Sequence, residues 1–572
     1  MGQTKPKADF LIEVSYEIVT KLGGIHTVIK TKAPFMKKYY GNNYMVVGLY
    51  TKKDARKKFK RKEPNKEIKN LFSKLRKEKI ICHYGIWLAK SHPKAILIDI
   101  SKLKVDRKTK NEIYKDYWID LSPKKLDRPK FYSNSLILSF ATGKLIKELM
   151  KLKQFRKKKV VVNIHEYMGG LTLLYLRKHK ANVPVVFTTH ATVLGRAITF
   201  AGENLYRDLL IYKKKNKLLY SKKIMSYKYK LGEIVYNRHL YEKACAKKAD
   251  VFTTVSETTS REAGFLLDRP ADIVTPNGLE IINPPSIEEQ FAINYKAKQK
   301  ILKFLATYFS PYYPIKTEDS LLFYTAGRYE IYTKGYDIFF EALNKLNSKL
   351  KREKYNKNIF VFLFIIVGKK KIKKDIIKTL NLYKSKKKCP KPKYKYPPNC
   401  LFKARENLIL LYLKKNKLLN RPRDKVKILF YPAPVRKNDK LLSMHYKEVV
   451  SSMDAGIFPS LYEPWGYTPL ETAAMATIAV TTDVAGFGKF IQKRTDQRKV
   501  PGIIVLKTKR RNKGQIVENL AKIMHEIVYM PKEKRIEKRI EANKLAGLAN
   551  WEDFSKQYIK AHNLAVKRHR KR

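Results

Sequence analysis

Residues Ala455–Met475 read AGIFPSLYEPWGYTPLETAAM, and this stretch indicates the kind of fold that the chain adopts. The run Ala455–Phe458 has the short, apolar character of a strand buried on both faces. A helix is expected to begin near Thr468, because Thr468 can cap its first turn and Pro469 suits that turn. A buried strand that leads through a loop into a helix is the repeating unit of a doubly wound parallel sheet, so the stretch predicts an α/β fold.

Short runs of β-branched and aromatic residues recur along the chain, separated by stretches of helical length, and each run indicates a strand. The runs are Phe10–Val14, Met45–Gly48, Ile80–Cys82, Val160–Ile164, Val185–Thr189, Val251–Val255, Ile273–Thr275, Leu321–Thr325, Ile359–Val367, Val426–Phe430, Ala455–Phe458, Ala479–Thr482 and Ile503–Leu506. They form two series that meet near Asn283–Pro285, which predicts two doubly wound α/β domains. A cleft between two such domains is a natural place for a ligand that carries a nucleotide.

The charge of the chain is its most unusual compositional feature. Its 572 residues include 123 Lys and Arg against 50 Asp and Glu, a formal net charge of +73. Such a charge suggests a nucleic-acid partner, but no zinc-finger spacing, RNA-recognition strand or basic zipper accompanies it. Lys, Asn, Ile, Tyr and Phe are abundant together, so a bias toward A/T-rich codons is the alternative source of the charge. The 44% apolar and 12% aromatic content excludes a disordered basic protein.

The cysteines and the N-terminus bear on the cellular compartment. Cys82, Cys245, Cys389 and Cys400 are too few and too scattered to form a disulfide framework. The N-terminal MGQTKPKADF contains no apolar segment typical of a signal peptide, and the longest apolar run, Ile359–Val367, is too short to cross a bilayer. We therefore expect a soluble, cytoplasmic protein without a membrane span.

Two carboxylates accompany the loop within Ala455–Met475. Glu463 lies in the loop and Glu471 in the expected helix, so both side chains can face one ligand. The amides of Gly466–Thr468 lie at the start of this helix, where anions such as phosphates bind, and Glu471 can reach the two hydroxyls of a ribose. The alternative is an acidic helix N-terminus that only complements the helix dipole. The length and coherence of the motif favour a ligand site.

Cationic and polar residues follow other predicted strands. Arg328 and Lys334 come just after Leu321–Thr325, where they can stabilise a departing diphosphate, although they are also two cations among many. His190 and Arg196 follow another strand in the same way, which places an imidazole and a guanidinium near the cleft. The carboxyl ends of parallel strands therefore carry the candidate binding residues.

A glycine pair follows the first predicted strand. Lys21, Gly23 and Gly24 lie in KLGGI, where small residues before a helix let a phosphate approach the backbone, although a plain tight turn is an alternative. No Asp-x-Asp pair, Gly-x-Ser-x-Gly elbow or P-loop occurs in the sequence. We therefore expect phosphate charge to be neutralised by Arg, Lys and helix ends, without a metal ion.

These motifs together resemble the eukaryotic-type glycogen synthases, the family 3 glycosyltransferases of GT-B fold. The resemblance extends from about Phe10 to about His562. It rests on KLGGI, NIHEY, FTTHATVLGR, DVFTTVS, DIVTPNGL, AGRYEIYTKG and FPSLYEPWGYTPLE, with GFG at 486–488. The implied fold is α/β, with two Rossmann-like domains facing across a cleft and a C-terminal helix that crosses back to the first domain.

The resemblance also suggests domain boundaries. Residues 1–283 would form the acceptor-side Rossmann-like domain with the glycine loop, and residues 284–548 the domain that binds the nucleotide sugar. Residues 549–566 would form the helix that packs back on the first domain. The final 567–572, KRHRKR, is expected to be a disordered basic tail.

The activity implied by the resemblance is metal-independent transfer of glucose from UDP-glucose to the non-reducing end of an α-1,4-glucan, with retention of configuration. Glu463 would be the carboxylate beside the anomeric carbon, and Arg328 and Lys334 would hold the diphosphate. His190, near the glucose ring, and Arg196 would line the N-terminal-domain side of the site. The residues implied in donor binding are Lys21, Gly23, Gly24, Tyr446, Gly466, Tyr467, Thr468 and Glu471, with Tyr446 stacked on uracil and Glu471 bound to the ribose.

The sequence departs from the family at a regulatory site. Animal and fungal members carry an arginine-rich helix that binds glucose 6-phosphate, which corresponds to the segment ahead of Trp551. Arg535 and Arg539 remain there as candidate phosphate ligands, whereas Glu533 and Glu541 occupy positions of arginines. Because only part of this helix matches the family, the resemblance does not by itself imply activation by glucose 6-phosphate.

Implied partners are UDP-glucose and a glycogen-like acceptor, without a specific nucleic acid. A glycogenin-like primer and a homo-oligomer are further candidates, although the insertion between Val367 and Arg421 is short for the family's tetramer. The alternative within the class is an ADP-glucose-dependent synthase or another retaining glucosyltransferase. The alternative outside it is a nucleic-acid-binding protein on a degenerate transferase scaffold, whose affinity would fall steeply with salt.

Overall fold

The computed structural model describes residues 4–103, 130–206, 209, 226, 230–279, 286–368, 372–384, 392, 394–402, 407–439, 441–499 and 501–570. The chain divides into two compact units: unit 1 comprises Met1–Glu280 and Ala549–Arg572, and unit 2 comprises Ile281–Leu548. Every helix within the described ranges is too short or too polar to span a bilayer.

Unit 1 is built on a nine-stranded mixed sheet with the order β3-β4-β5-β2-β1-β6-β7-β8-β9. Its strands are β1 (Phe10–Val14), β2 (Tyr44–Leu49), β3 (Phe59–Arg61), β4 (Ile81–Trp87), β5 (Lys94–Asp99), β6 (Val160–His165), β7 (Val185–Thr189), β8 (Val251–Thr254) and β9 (Ile273–Val274). Its helices are α1 (Ile25–Tyr40), α2 (Lys52–Lys58), α3 (Lys66–Lys77), α4 (Lys130–Leu149), α5 (Lys153–Arg156), α6 (Tyr167–Lys178), α7 (Val193–Phe200), α8 (Glu233–Lys248), α9 (Glu257–Leu266) and the C-terminal α19 (Trp551–His569). Because β1 pairs in parallel with β6, and β6 with β7, the carboxyl ends of these three strands lie side by side.

One edge of this sheet differs from the sequence prediction. β4 runs antiparallel to both β3 and β5, which corrects the expectation of an entirely parallel sheet. The connection between β4 and β5 is only residues 88–93, too short for the crossover that parallel strands require. β3 and β5 are absent from the prediction, since β3 is a charged, partly exposed edge strand within a basic segment.

Unit 2 contains a six-stranded, entirely parallel sheet with the order β12-β11-β10-β13-β14-β15. Its strands are β10 (Leu321–Arg328), β11 (Ile359–Ile366), β12 (Val426–Phe430), β13 (Ala455–Ile457), β14 (Ile478–Thr482) and β15 (Ile503–Leu506). Its helices are α10 (Ile287–Phe309), α11 (Tyr336–Arg352), α12 (Lys374–Lys384), α13 (Leu408–Lys415), α14 (Tyr446–Ser452), α15 (Tyr467–Ala474), α16 (Gly486–Gln492), α17 (Lys513–Tyr529) and α18 (Lys532–Gly547). The strands are almost fully buried, as expected for a parallel sheet covered by helices on both faces. The doubly wound α/β prediction is confirmed here.

The C-terminal helix α19 packs within unit 1, as predicted. Its Tyr558 ring lies 3.8 Å below the Lys32 ammonium, and its His562 is hydrogen-bonded to Tyr40 at 2.9 Å. The helix continues to His569, so the prediction of a disordered tail is wrong for residues 567–569. The reason is that the basic side chains of this last turn have partners, including Arg568 paired with Asp272 at 2.8 Å.

Replacement of Trp551 by alanine is expected to destabilise unit 1. The Trp551 ring is fully buried, its Nε1 donates to Thr31 Oγ at 2.9 Å, and it packs closely on Gly278. Loss of so large a buried side chain should lower the free energy of unfolding by about 3–5 kcal/mol. Urea unfolding followed by circular dichroism measures this, and Trp551→Phe, which keeps an aromatic ring, should lose much less. Equal stability of the alanine and phenylalanine variants would contradict the prediction.

Candidate active site

The sheet of unit 2 reverses its strand order between β10 and β13. These two strands are neighbours, with Phe323 opposite Ala455 and Tyr324 opposite Gly456. At such a reversal the connections after the two strands cover opposite faces of the sheet and leave a crevice at the carboxyl ends, where ligands bind. β10 and the loop after it supply Arg328 and Lys334, and the connection after β13 supplies Glu463, so the topology brings together residues far apart in sequence.

Lys334 and Glu463 form an ion pair at the carboxyl ends of β10 and β13. The Glu463 carboxylate also accepts from Ser460 Oγ at 3.4 Å, and its backbone carbonyl accepts from the Gly486 amide at 3.0 Å. Arg328 is more exposed, with its Nη1 3.3 Å from a carboxylate oxygen of Glu330. An ion pair with a second cation at the end of the preceding strand can bind a phosphate group and a sugar with developing positive charge.

Helix α15 begins at Tyr467, directly after Gly466, which has a φ of 118°. This left-handed conformation, which favours glycine, turns the chain into the helix two residues earlier than expected. Thr468 is therefore not the cap: it lies in the first turn, where its carbonyl accepts from Thr472 Oγ at 2.6 Å. The amides of Gly466, Tyr467 and Thr468 still lie at the helix N-terminus, where no carbonyl of the helix itself precedes them.

A second group of polar residues lies beside this helix. Tyr446 begins α14 and is half-buried, with its ring edge-on to Phe364 at 6.5 Å. The Tyr324 hydroxyl is hydrogen-bonded to Thr472 Oγ at 2.5 Å. Burial raises the pKa of both tyrosines, and the nearby Glu471 carboxylate raises it further. The structure thus places the predicted uracil- and ribose-binding residues, Tyr446 and Glu471, in one neighbourhood.

In unit 1 the strand order reverses between β1 and β6, and the KLGGI loop follows β1. The Glu17 carboxylate accepts from the Gly23 amide at 2.7 Å and from the Leu22 amide at 3.3 Å. Burial raises the pKa of Glu17, and the bonds from these amides oppose that effect. Gly24 has an ordinary φ of −79° and open space at its Cβ position. The anion at this helix start is thus the protein's own carboxylate, and a phosphate would reach the Gly23 amide only after Glu17 moved.

Glu166, the residue after β6, contacts the His190 backbone and interacts electrostatically with Arg196 and with Glu17 of the segment after β1. Its carboxylate accepts from the amides of His190 at 2.7 Å and Ala191 at 3.1 Å. Burial raises the pKa of Glu166 from 4.5 to about 7, although the charge of Arg196 acts in the opposite direction and that of Glu17 adds to it. Its backbone, with φ 65° and ψ 161°, is in a region that only glycine adopts readily. Strain held by specific hydrogen bonds is typical of functional positions.

Replacement of Glu166 by glutamine is expected to change how stability depends on pH. A carboxyl whose folded pKa is raised binds its proton more tightly in the folded state, so its contribution is present below pH 4.5 and is lost as pH rises through about 7. Glutamine does not titrate, so the variant does not lose this contribution to the free energy of unfolding as pH rises. Relative to wild type it should therefore gain roughly 3 kcal/mol between pH 4.5 and pH 8.

Urea unfolding of both proteins at several pH values measures this difference, because all other groups cancel in the comparison. Glu63→Gln, at an exposed carboxyl of the same unit, is the control and should show no such trend. A constant difference between Glu166→Gln and wild type across the range would contradict the prediction.

Sequence reasoning did not assign Glu13, Glu17, His165 or Glu166 to the site. Two signals pointed to them: Glu13 is a charge within the apolar strand FLIEV, and His165 and Glu166 stand at a strand end, as His190 nearly does. Spacing along the chain could not show that these residues meet, because β1, β6 and β7 become neighbours only in the sheet.

The predicted phosphate ligands of α18 already have partners. The half-buried Arg539 donates from Nε to the Ala476 carbonyl at 2.7 Å and from Nη2 to the Ser451 carbonyl at 3.4 Å. Arg535 donates from Nη1 to the Met530 carbonyl at 3.2 Å. Both guanidinium groups therefore bind backbone at the ends of helical segments, and a phosphate site there stays a prediction.

The fold has clear counterparts among solved structures. The catalytic domain of starch synthase IV from Arabidopsis thaliana, bound to ADP and acarbose, matches with a TM-score of 0.54 at 12% identity, over 98% of this chain and 100% of that one. A UDP-forming α,α-trehalose-phosphate synthase from Burkholderia vietnamiensis matches with a TM-score of 0.52 at 11% identity, over 97% and 99%. These neighbours are GT-B glycosyltransferases, and the two Rossmann-like units place this protein in the same fold class.

Comparison with protein families is more specific. The glycogen synthase family model matches residues 13–391 and 393–571. Liver glycogen (starch) synthase of Mus musculus is 30% identical over 614 residues, which cover 98% of this chain and 84% of that protein. Glycogen (starch) synthase isoform 1 of Saccharomyces cerevisiae is 28% identical over 624 residues, with 98% and 86% covered. The chain belongs to the glycogen synthase family.

Proposed function

We propose that this protein transfers glucose from UDP-glucose to the non-reducing end of an α-1,4-glucan, with retention of configuration and without a metal ion. The observation that carries the proposal is the Lys334–Glu463 ion pair at the strand-order reversal of unit 2, in a chain of the glycogen synthase family. The two groups have the opposite charges that departure of a diphosphate from a sugar requires.

The proposed reaction breaks the bond between the anomeric carbon and the β-phosphate oxygen of the donor. Negative charge develops on the departing UDP, where Arg328, Lys334 and the amides at the start of α15 stabilise it. Positive charge develops on the sugar ring beside the Glu463 carboxylate. The 4-hydroxyl oxygen of the glucan forms the new bond on the same face, and its proton passes to the leaving phosphate. Atoms and charge balance without a covalent intermediate.

The nucleoside is proposed to bind beside α15. Tyr446 offers a half-buried aromatic ring on which a uracil can stack, and the Glu471 carboxylate accepts hydrogen bonds from ribose hydroxyls. Unit 1 is proposed to supply the acceptor side, with His190 close to the donor sugar, Arg196 and Lys21 near the phosphates, and Gly23 and Gly24 available to them once Glu17 leaves the Gly23 amide. We further propose a cytoplasmic location, a glycogenin-like primer and self-association.

A nucleotide-sugar panel on the purified protein with glycogen tests the proposal. We expect UDP release and chain elongation with UDP-glucose, unchanged by EDTA, and much slower transfer from ADP-glucose and GDP-glucose. Preference for ADP-glucose would replace the donor assignment, and inhibition by EDTA would overturn metal independence. No transfer from any donor would reject the proposed function.

A further inference from the structure

A chain of three hydrogen-bonded side chains runs through the interior of unit 1, from β1 across β6 to the residue that follows β7. Glu13 Oε1 lies 2.6 Å from His165 Nε2, and His165 Nδ1 lies 2.9 Å from His190 Nε2. Glu13 and His165 are completely buried, and His190 is 8% exposed. The chain therefore links a deeply buried carboxylate to the histidine proposed to lie near the donor sugar.

Glu13 is the charged end of this chain. Its carboxylate pairs with the Lys32 ammonium at 2.5 Å and accepts from the Tyr44 hydroxyl at 2.5 Å. Burial alone would raise its pKa, but Lys32 and His165 together hold the pKa of Glu13 well below its ordinary value. A carboxylate with these partners is ionised and can only accept hydrogen bonds.

The proton positions follow from this ionised end. Because Glu13 only accepts, Nε2 of His165 carries a proton. Burial, together with the charge of Lys32, lowers the pKa of His165, so the ring is neutral and its Nδ1 is an acceptor. The facing nitrogen, Nε2 of His190, must therefore donate.

His190 is likewise neutral. Burial is the main cause that lowers its pKa well below the ordinary value; the neighbouring His165 and the charge of Lys32 act in the same direction and Glu13 in the opposite one. Glu166 contacts its backbone amide rather than its ring. The remaining ring nitrogen, Nδ1, makes no hydrogen bond to the described part of the chain. Because the ring is neutral and carries its proton on Nε2, Nδ1 is unprotonated.

We propose that Glu13 and His165 are positioning residues that hold His190 as the Nε2-protonated, neutral tautomer, so that its Nδ1 accepts a hydrogen bond from a hydroxyl of the donor sugar. The inference rests on the proposed function for the identity of that hydroxyl. The tautomer itself depends on the chain of contacts and on the neutrality of the two buried rings, and not on the proposed function. A glutamate–histidine–histidine chain thus determines the orientation and hydrogen-bonding polarity of the outermost imidazole.

The buried position of the chain explains why two rings are used instead of one. A carboxylate in direct contact with the His190 ring, in addition to Glu166 at its backbone amide, would place further negative charge near a departing anionic diphosphate. The intervening neutral imidazole of His165 transmits the hydrogen-bonding polarity and leaves the charge of Glu13 beside Lys32. The same polarity cannot be imposed by an apolar side chain at position 165.

The first test is nitrogen-15 NMR of the full chain labelled at histidine, with the His190 signals assigned from their absence in His190→Gln. We expect a protonated Nε2 and an unprotonated Nδ1 in the wild-type protein at every pH between 6 and 8. A protonated Nδ1, or a doubly protonated ring in this range, would overturn the inference whatever the enzymatic activity.

The second test compares variants at position 165. His165→Leu removes the acceptor, so kcat should fall about 100-fold with the KM for the donor changed less than threefold. His165→Asn offers an amide oxygen near the former Nδ1 and should restore at least a tenth of the wild-type kcat. Tyr40→Phe, which removes a hydroxyl from the same buried region without touching His165, is the control and should behave as wild type.

Wild-type kcat in a folded His165→Leu variant, or equal losses in the leucine and asparagine variants, would overturn the role in positioning. If the wild-type protein transfers no sugar at all, the proposed function fails, while the NMR experiment still decides the tautomer. The two failures are therefore distinguishable.

Discussion

Replacement of Glu463 by glutamine is expected to lower kcat by about 1,000-fold or more while the protein stays folded. The carboxylate is the negative group of the ion pair with Lys334, and it is proposed to face the positive charge that develops on the sugar ring. The amide keeps the shape and removes the charge, so stabilisation of the transition state is lost, whereas donor binding through the phosphates is retained. Steady-state release of UDP in the presence of glycogen measures the effect.

Glu518→Gln is the matched control. Glu518 lies in the same unit and pairs with Lys345 at 2.6 Å on an exposed surface, so its replacement removes an ion pair of the same type away from the site. Activity of this variant should equal that of wild type, because exposed ion pairs contribute little. A Glu463→Gln protein that turned over within tenfold of wild type would contradict the assignment of this carboxylate.

Replacement of Gly335 by alanine is expected to lower the stability of unit 2 strongly. Gly335 has a φ of 64°, and a Cβ built on it would lie 2.1 Å from the carbonyl oxygen of Pro459. Because the atom it meets is backbone, the two loops that carry Lys334 and Glu463 must separate. We expect a loss of about 3 kcal/mol or more in the free energy of unfolding, together with loss of transfer activity.

Urea unfolding of Gly335→Ala measures the loss, and Gly547→Ala serves as the control. A Cβ at Gly547, in helix α18 of the same unit, meets no atom within 4 Å. That variant should keep its stability or gain up to about 1 kcal/mol, because alanine favours the helix over glycine. Equal unfolding midpoints of the two variants would mean that the contact between Gly335 and Pro459 does not constrain the loops.

The net charge of +73 does not help to locate the site. The cations of the candidate site are distinguished by their position at the carboxyl end of β10. Lys334 contacts Glu463, and Arg328 is the last residue of the strand that precedes Lys334. The structure gives Arg539 a different role, because its half-buried guanidinium donates to backbone carbonyls. Composition alone cannot distinguish these roles, since all three side chains contribute the same charge.

Much of the fold could be predicted from local pattern. Ile359–Ile366 is apolar throughout, and Val426–Phe430 is apolar except for Lys427, because both faces of a parallel strand are buried; each is recognisable without its neighbours. The EPWGYTP loop could likewise be predicted as a candidate site, because its glycine, prolines and carboxylates occur within a few residues. β3 was not predictable, because its charged residues are suited to an exposed edge and resemble the surrounding basic loop.

The sequence by itself determined two α/β units, the strand ends that carry Lys334, Glu463 and His190, and membership in a family. Only the tertiary structure decided which side chains contact these residues. Glu13 is hydrogen-bonded to His165, 152 positions away in sequence, and Lys334 pairs with Glu463, 129 positions away. The physical reason is that local burial patterns report the faces of single strands and helices, whereas the order of strands in a sheet is set by packing of the whole chain. Hydrogen-bonding polarity within a buried chain of side chains depends on that order.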